Sequence, residues 1–498
     1  MNLASILEPH PADAPALTSS GETTTYGALR QQVAAVSGGL TDAGLRPGDR
    51  VALVLASNWY FVVAQFAVLR CGAVVVPLNP QSPAAELQRE LDSVQPRVAI
   101  VGPAGRAAFA DVDRTAAGIE LVFVPEGVAL DDARPFEDLL VADAEPMVER
   151  SPHDLAALMF TSGTAGSPRA AQLTHGNLLS NLEQMQAAGE NALRPDDVNF
   201  CVIPLSHIYG LNASLNLSLY AGARVVLVQR FDPASALQSI RDHGVTVVAG
   251  VPPMYGAWAS LPEESAPPDS FITVRLAASG ASRLDPALAQ QFRDRFGVGI
   301  GEGYGLTEAS PAVTGASFPT PRFGTIGAPL PGVAVRVVDE DGDDVLEGDP
   351  GEIWVRGANV FTGYWHDPEA TARALTPDGW LRTGDIAVVD DRGDLTIVDR
   401  AKDLIIVSGF NVFPGEVEEV LRTHPGIEDA AVIGMPHPHT GESVKALVVP
   451  APGRLLDEDE VIEFCSQQLA RYKCPSKVLV VNHLPRGTAG KLLRRDLT

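Results

Sequence analysis

Through its first 300 residues the chain alternates short apolar runs with helix-length segments, and this alternation limits the possible folds more than any other feature. RVALVLA (50–56), AVVVPL (73–78), RVAIVG (97–102), RVVLVQRF (224–231), VTVVAGVP (245–252) and VRLAASG (274–280) have the length and β-branched content of buried strands. Between them lie helical patterns such as SPAAELQRELDSV (82–94), DPASALQSIRDHG (232–244) and DPALAQQFRDRFG (285–297), opened by an aspartate or serine able to cap. Strand and helix in alternation imply largely parallel sheets covered by helices. After about residue 320 the texture changes. GVAVRVVDEDG, GEIWVRG and DLTIVD read as antiparallel strands joined by tight Asp/Gly turns. The last hundred residues form a unit of their own, with helices at PGEVEEVLRTH and DEDEVIEFCSQQLA and strands at DAAVIGMP, SVKALVVP and KVLVVNHLP. The expected fold class is α/β: a large N-terminal domain of helix-covered, largely parallel sheets plus a β-rich subdomain, then a small mobile α+β C-terminal domain. The joint falls near DRAKD (399–403), giving domains at 1–398 and 403–498, with the ligand between them.

At 498 residues two or more domains are the default. A net charge of −25 lacks the basic footprint that nucleic-acid binding requires, so no nucleic acid is expected as a partner. A nucleotide is still compatible, since backbone dipoles and a few local cations suffice to hold one. Cys71, Cys201, Cys465 and Cys474 show no metal-type spacing and read as buried thiols of a reducing compartment. The opening MNLASILEPHPADAP lacks the pattern of a signal peptide. The most apolar stretch, YFVVAQFAVLRCGAVVVPL, is interrupted by Gln65, Arg70 and Gly72 and reads as a buried helix running into a buried strand, not a membrane span. A cytoplasmic location is expected. The five lysines are Lys402, Lys445, Lys473, Lys477 and Lys491, so the first 401 residues use arginine wherever they need a cation.

One loop carries chemistry. TSGTAGSPRAAQLTHGN (161–177) follows the strand-like LAALMF, and its small residues let backbone N–H groups face an anion while Thr161, Ser162 and Thr164 add hydroxyl donors. It does not match GxxxxGK[ST], so any phosphate binding is of another design. TSGTAGSPRA instead resembles the signature loop of the adenylate-forming enzymes, Thr-Ser-Gly-Thr-Thr-Gly-x-Pro-Lys-Gly, departing from it at Ala165, Arg169 and Ala170. The resemblance recurs in order along the chain in PLSHIYG (204–210), ASGAS (278–282), YGLTE (304–308), WLRTGD (380–385), DRAKDLIIVSGFNVFPGEVEEVL (399–421) and PRGTAGKLLRR (485–495). The overall appearance is similar to acyl-CoA synthetases of the fatty-acid type.

That resemblance implies an AMP-forming acid–thiol ligase with ATP, Mg²⁺ and coenzyme A as cofactor and co-substrates and a small-molecule carboxylic acid, a medium- or long-chain fatty acid leading. It places Thr161, Ser162, Gly163, Thr164 and Gly166 on the phosphates, with Arg169 in the usual lysine position. Gly280, Ala281, Tyr304 and Gly305 lie by adenine, and Thr307 by the α-phosphate. Glu308 with Thr164 falls on the metal, and Asp385 and Arg400 on the ribose. His207 is placed as a gate between carboxylate site and CoA channel, against a plain reading as a core histidine. Lys491 is the adenylation lysine, Lys402 the hinge within 399–402, and Ser408 and Gly409 line the pantetheine tunnel. Two alternatives remain: a free-standing enzyme loading a carrier protein, and a carboxylate- or nucleotide-binding protein without turnover. The acid and the oligomeric state, homo-oligomer included, are not readable from the sequence.

Overall fold

The stretch from residue 50 to 101 realises the alternation directly. Asn58 caps the helix Trp59–Arg70, which is buried at every position from Phe61 to Leu69 and is therefore apolar on all sides. It leads into the buried strand Val74–Pro77, which lies parallel to Arg50–Val54. The structure is a computed structural model that describes residues 1–141, 146–161, 169–400, 403–407, 410–437, 441–469, 471–486, 492–494 and 497. Among the described residues no helix is long and apolar enough to cross a membrane.

Two compact units divide the chain. The first holds Met1–Gly280, Leu284–Ala334 and Val355–Leu381. Its first seven-stranded sheet runs Arg134–Pro135, Leu121–Val124, Val98–Val101, Arg50–Val54, Val74–Pro77, Leu155–Thr161, Arg169–Thr174, parallel except for the last pair. A second, also seven-stranded, runs Ile300–Glu302, Leu276–Ser279, Val247–Gly250, Val198–Cys201, Arg224–Leu227, Pro15–Ser19, Glu22–Thr25, again with one antiparallel edge. Each thus carries an antiparallel edge strand on a parallel sheet. Beneath the second sheet, Trp258 packs edge-on against Tyr255, Phe231 and Phe271, and Phe271 against Phe292 and Phe296. Such pairs add about 0.5–1.5 kcal/mol each beyond area burial.

Asp232 and Asp285 cap their helices as expected, each with Pro in the first turn. Ser82 does not cap. The helix Ala84–Val94 starts after Pro83, and no side-chain cap bond closes it among the described residues.

The second unit comprises Ala281–Arg283, Val335–Trp354 and Arg382–Thr498. Its Asp/Gly turns have the expected form. Asp339 Oδ1 accepts from the Asp341 and Asp343 amides before Gly342 at φ 86°, and Asp390 repeats the arrangement before Gly393 at φ 82°. Toward the C-terminus Ile427–His437 pairs antiparallel with Gly441–Pro450, which takes Lys477–Val480 as a parallel neighbour. The helices Pro414–Arg422 and Glu458–Ser466 cover it, with Val417, Leu421, Val432, Val444, Val448 and Val461 in the core. Cys71, Cys201 and Cys465 are buried, and burial pushes each thiol up to about 11; Cys474 is half-buried.

Candidate active site

Three parallel strands, Val247–Gly250, Leu276–Ser279 and Ile300–Glu302, end side by side, and the chain leaves each at its carboxyl end. Ligands of open α/β sheets bind at this edge. Gly280 follows the middle strand, its N–H donating to the Gly250 carbonyl at 3.2 Å. A Cβ on Gly280 would stand 3.3 Å from the Tyr209 ring, so the missing side chain is what admits that ring. Tyr209 in turn donates its hydroxyl to the Gly250 carbonyl at 3.2 Å. Tyr304 and Gly305 form a short strand against Ala312–Gly315. A Cβ at Gly305 would lie 2.1 Å from the Pro311 carbonyl oxygen, which no side chain permits. Ala281 holds φ at 66°, a left-handed conformation unusual for alanine.

Glu308 stands on the short 3₁₀ turn Thr307–Ala309 beyond that strand, half-buried. Its carboxylate Oε1 accepts the Tyr364 hydroxyl at 2.6 Å, and its backbone carbonyl accepts the Phe361 N–H at 2.8 Å. Burial first, and then the Glu308 charge, raise the Tyr364 phenol, which therefore stays protonated and donates. Arg169, on the strand that follows the phosphate-loop candidate, reaches the same place. Leu155–Thr161 runs antiparallel to Arg169–Thr174 with Thr161 opposite Arg169, so the loop joins two strands of a hairpin. The helix His175–Gln186 begins only after the second strand, so it does not start at the end of this loop. Ser162, Gly163, Thr164 and Gly166 lie outside the described residues. Arg169 donates its Nε to Asp367 Oδ2 at 3.0 Å, and its guanidinium sits 5.9 Å from the Tyr364 ring centre. Asp367 Oδ1 meanwhile accepts from the Ala370 amide, capping Pro368–Ala374; that bond and the Arg169 charge hold its carboxyl below the usual range. Arg169, Thr307 and Glu308 are thus brought together, with Tyr364 and Asp367 as partners that sequence reasoning passed over.

Buried amides support this turn from below. Asn212 donates to the carbonyls of Leu178 and Ser310, Asn181 and Asn359 to those of Ala312 and Ala309, and Asn177 to those of Ala358 and Val360. Asn212 is fully buried in this network. Tyr255 is also buried, donating to the carbonyls of Val248 and Ala278.

Contrary to the plain reading of a core histidine, His207 is exposed. Its Nδ1 accepts the Tyr209 N–H at 3.2 Å, ahead of the π-helical turn Tyr209–Asn216, which assigns the neutral ring's proton to Nε2. In the second unit Asp385, 7% exposed, lies directly opposite Arg400 in the antiparallel ladder of Leu381–Val389 and Leu395–Arg400. Two residues fifteen apart in sequence are thereby cross-strand neighbours. The Arg400 side chain, Lys402, Ser408, Gly409 and Lys491 lie outside the described residues.

The profile of the AMP-binding enzymes matches residues 5–365, and that of the AMP-binding enzyme C-terminal domain residues 416–491. The chain belongs to the AMP-binding enzyme family. This AMP-binding enzyme is 37% identical over 519 residues to a long-chain-fatty-acid–CoA ligase of Yersinia pestis, covering 98% of this chain and 91% of that one. It is 38% identical over 494 residues to a feruloyl-CoA synthase of an Amycolatopsis species, covering 99% and 96%. The ATP-bound crystal structure of MatB from Rhodopseudomonas palustris matches with a TM-score of 0.92 at 33% identity, covering 100% and 98%. The expected α/β fold and the adenylate-forming, acyl-CoA synthetase character hold. The protein is an acid–thiol ligase that works on acyl or aryl acids through an adenylate, and ATP is its nucleotide.

Proposed function

We propose that this enzyme joins a medium- or long-chain fatty acid to coenzyme A, in the cytoplasm, in two half-reactions. In the first the acid's carboxylate oxygen attacks the α-phosphorus of ATP and pyrophosphate leaves. In the second the CoA thiol, giving up its proton, attacks the acyl carbonyl and AMP leaves. Both are governed by positioning and charge neutralisation. The observation that carries the assignment is the convergence of Arg169, at the base of the hairpin loop, with Thr307 and Glu308.

Among the described residues no cluster of three or more His, Cys, Asp or Glu forms a metal cage. A hard carboxylate such as that of Glu308 suits Mg²⁺, which keeps waters and completes its shell with phosphate oxygens. Glu308 and Thr164 would hold it, and bound there it neutralises charge on the transferring phosphates. Thr161, Ser162, Gly163, Thr164, Gly166 and Arg169 hold the phosphates; Gly280, Ala281, Tyr304 and Gly305 receive adenine, and Thr307 donates to the α-phosphate. Asp385 and Arg400 take the ribose hydroxyls, Lys491 bridges carboxylate and phosphate, and His207 gates the CoA channel. Rotation at Lys402, between domains 1–398 and 403–498, then exchanges Lys491 for Ser408 and Gly409 at the second half-reaction.

An aryl acid is the second reading, favoured by the feruloyl-CoA synthase relative at 38% identity. Incubation with ATP, Mg²⁺, CoA and a panel of octanoate, palmitate, ferulate and benzoate, read by mass spectrometry, decides between them. Octanoyl- or palmitoyl-CoA is expected; exclusive conversion of ferulate or benzoate overturns the fatty-acid assignment, and acyl-AMP without thioester overturns CoA as acceptor.

A further inference from the structure

We propose that Glu352 is a positioning residue for the nucleotide ribose: its carboxylate fixes the backbone that presents Asp385. The inference rests on the reading of Asp385 as the ribose ligand. A carboxylate that accepts from two neighbouring hydroxyls has to be aimed, so the chain leading into it has to be held. Gly384, just before Asp385, stands at φ 70° with nothing within 4 Å of where a Cβ would lie. Backbone conformation, not crowding, therefore calls for glycine there. A left-handed residue inside the strand Leu381–Val389 breaks its extended run, and its N–H needs an acceptor.

Glu352 supplies that acceptor. Its Oε1 accepts the Gly384 N–H at 2.8 Å, and its Oε2 accepts the Trp354 indole N–H at 2.8 Å. Glu352 and Trp354 lie two apart on Gly351–Arg356, the strand beside Leu381–Val389, and share its half-buried face, while Gly351 and Ile353 are buried on the other. Thr383 pins the same two strands once more. Its hydroxyl donates to the Ile353 carbonyl at 2.7 Å and accepts the Asp385 N–H at 3.1 Å. The amides of residues 384 and 385 are thus each held by a side-chain oxygen.

The indole is held in its turn. The Arg382 guanidinium lies 5.1 Å from its ring centre and that of Arg336 6.0 Å. Arg336 is itself anchored, its Nε on Asp344 Oδ1 at 2.6 Å and its Nη2 on the Gly342 carbonyl at 3.1 Å. A Cβ on Gly342 would stand 3.2 Å from the same indole, so the ring is closely flanked there too. All of these residues belong to the second unit. A carboxylate bound by two donors, one of them a clamped ring, offers Gly384 a single geometry.

The test compares the full-length Glu352→Ala, Trp354→Phe and Asp385→Ala variants with wild type. Binding of Mg²⁺–ATP and of Mg²⁺–2′,3′-dideoxy-ATP, without acid, is read by isothermal titration calorimetry. The dideoxy-nucleotide has no ribose hydroxyl for Asp385 to accept from, so the ratio of the two dissociation constants isolates the sugar contact. A general change in fold, or in charge near the phosphates, moves both nucleotides alike. Glu352→Ala is expected to weaken ATP about tenfold, the low end for a lost hydrogen bond to a charged group, and to leave the dideoxy-nucleotide at its wild-type affinity. Added to Asp385→Ala it should cost nothing more, because both act through one contact. Trp354→Phe keeps a ring and removes the indole donor; it should shift the ratio in the same direction and carries the test if the alanine variant does not fold. A wild-type ratio in Glu352→Ala, or in Trp354→Phe where the former does not fold, overturns the role of Glu352 alone when Asp385→Ala is impaired. Equal weakening of both nucleotides does the same, since that is the mark of a merely structural role. A wild-type ratio in Asp385→Ala overturns the ribose assignment itself, and the proposal with it.

Discussion

His175 makes the first unit sensitive to acid, by an amount its surroundings define. It opens the helix that follows the Arg169–Thr174 strand, and only 1% of it is exposed. Its Nδ1 accepts the Leu3 N–H at 3.0 Å, fastening the N-terminal 3₁₀ helix Leu3–Leu7 to this helix start, while Nε2 has no partner among the described residues. Burial, followed by the charges of Arg150 and the N-terminal ammonium and opposed by Asp154, lowers the imidazole from 6.5 to about 4. The unfolded chain therefore takes up the proton first as pH falls. The stabilisation is complete above the unfolded value, is lost as pH drops from there toward about 4, and changes no further below. The full shift corresponds to about 3 kcal/mol, of which about 2 kcal/mol falls between about pH 7 and about pH 5.

His175→Asn tests this, because the asparagine Oδ1 can accept the Leu3 N–H and does not titrate. Urea unfolding of both proteins, followed by tryptophan fluorescence at about pH 7 and about pH 5, should show wild type losing about 2 kcal/mol more than the variant across that interval. The variant is the less stable protein at neutral pH, since a smaller side chain leaves space in a buried site. Equal losses in the two proteins would refute the argument: His175 would then not be the group that takes up the proton.

Arg169→Ala should weaken ATP or pyrophosphate use by about 1.5–3 kcal/mol, the range for a charge-assisted contact, while Arg169→Lys stays near wild type; pyrophosphate exchange kinetics measure both, and an unchanged alanine variant shows the cation to be idle. Gly305→Ala should destabilise the first unit and abolish adenylation together, because its Cβ would meet the Pro311 carbonyl oxygen at 2.1 Å; a folded, active variant by thermal unfolding and exchange assay contradicts the geometry. Lys402→Pro should spare pyrophosphate exchange and cripple thioester formation from supplied acyl-AMP, while Lys491→Ala does the reverse. Equal loss of both half-reactions in both folded variants rules out alternation at residue 402.

The parts of this molecule that a sequence reveals are those whose cause is local. Buried parallel strands such as Val74–Pro77 and Val247–Gly250 are continuous apolar runs, because both faces are covered, and so they stand out. Asp232 and Asp285 announce their helices because a cap acts within one turn, whereas at Ser82 the following proline took the boundary position instead. Asp385 and Arg400 could be paired as candidates, yet only the ladder register makes them neighbours. Tyr364 and Asp367 were invisible for the opposite reason: their partners Glu308 and Arg169 lie 56 and 198 residues away. The buried amides of Asn177, Asn181 and Asn212 were equally hidden, since an asparagine on a helix reads as a side chain facing water until tertiary structure supplies the carbonyls it satisfies.

Arginine in place of lysine at position 169 takes on a physical meaning in that setting. A lysine ammonium is a compact point charge, and it could serve the loop without engaging anything else. The guanidinium is a flat fork, and here its Nε holds Asp367 while its plane lies over Tyr364. Asp367 caps the helix Pro368–Ala374, and Tyr364 holds Glu308. Through these contacts the cation at the base of the proposed phosphate loop is joined to the turn carrying the proposed metal ligand. A chain with no lysine in its first 401 residues has therefore met a need for charge with a residue whose shape also couples two parts of the site. At position 169 the positive charge is retained, and its partners Asp367 and Tyr364 are in place.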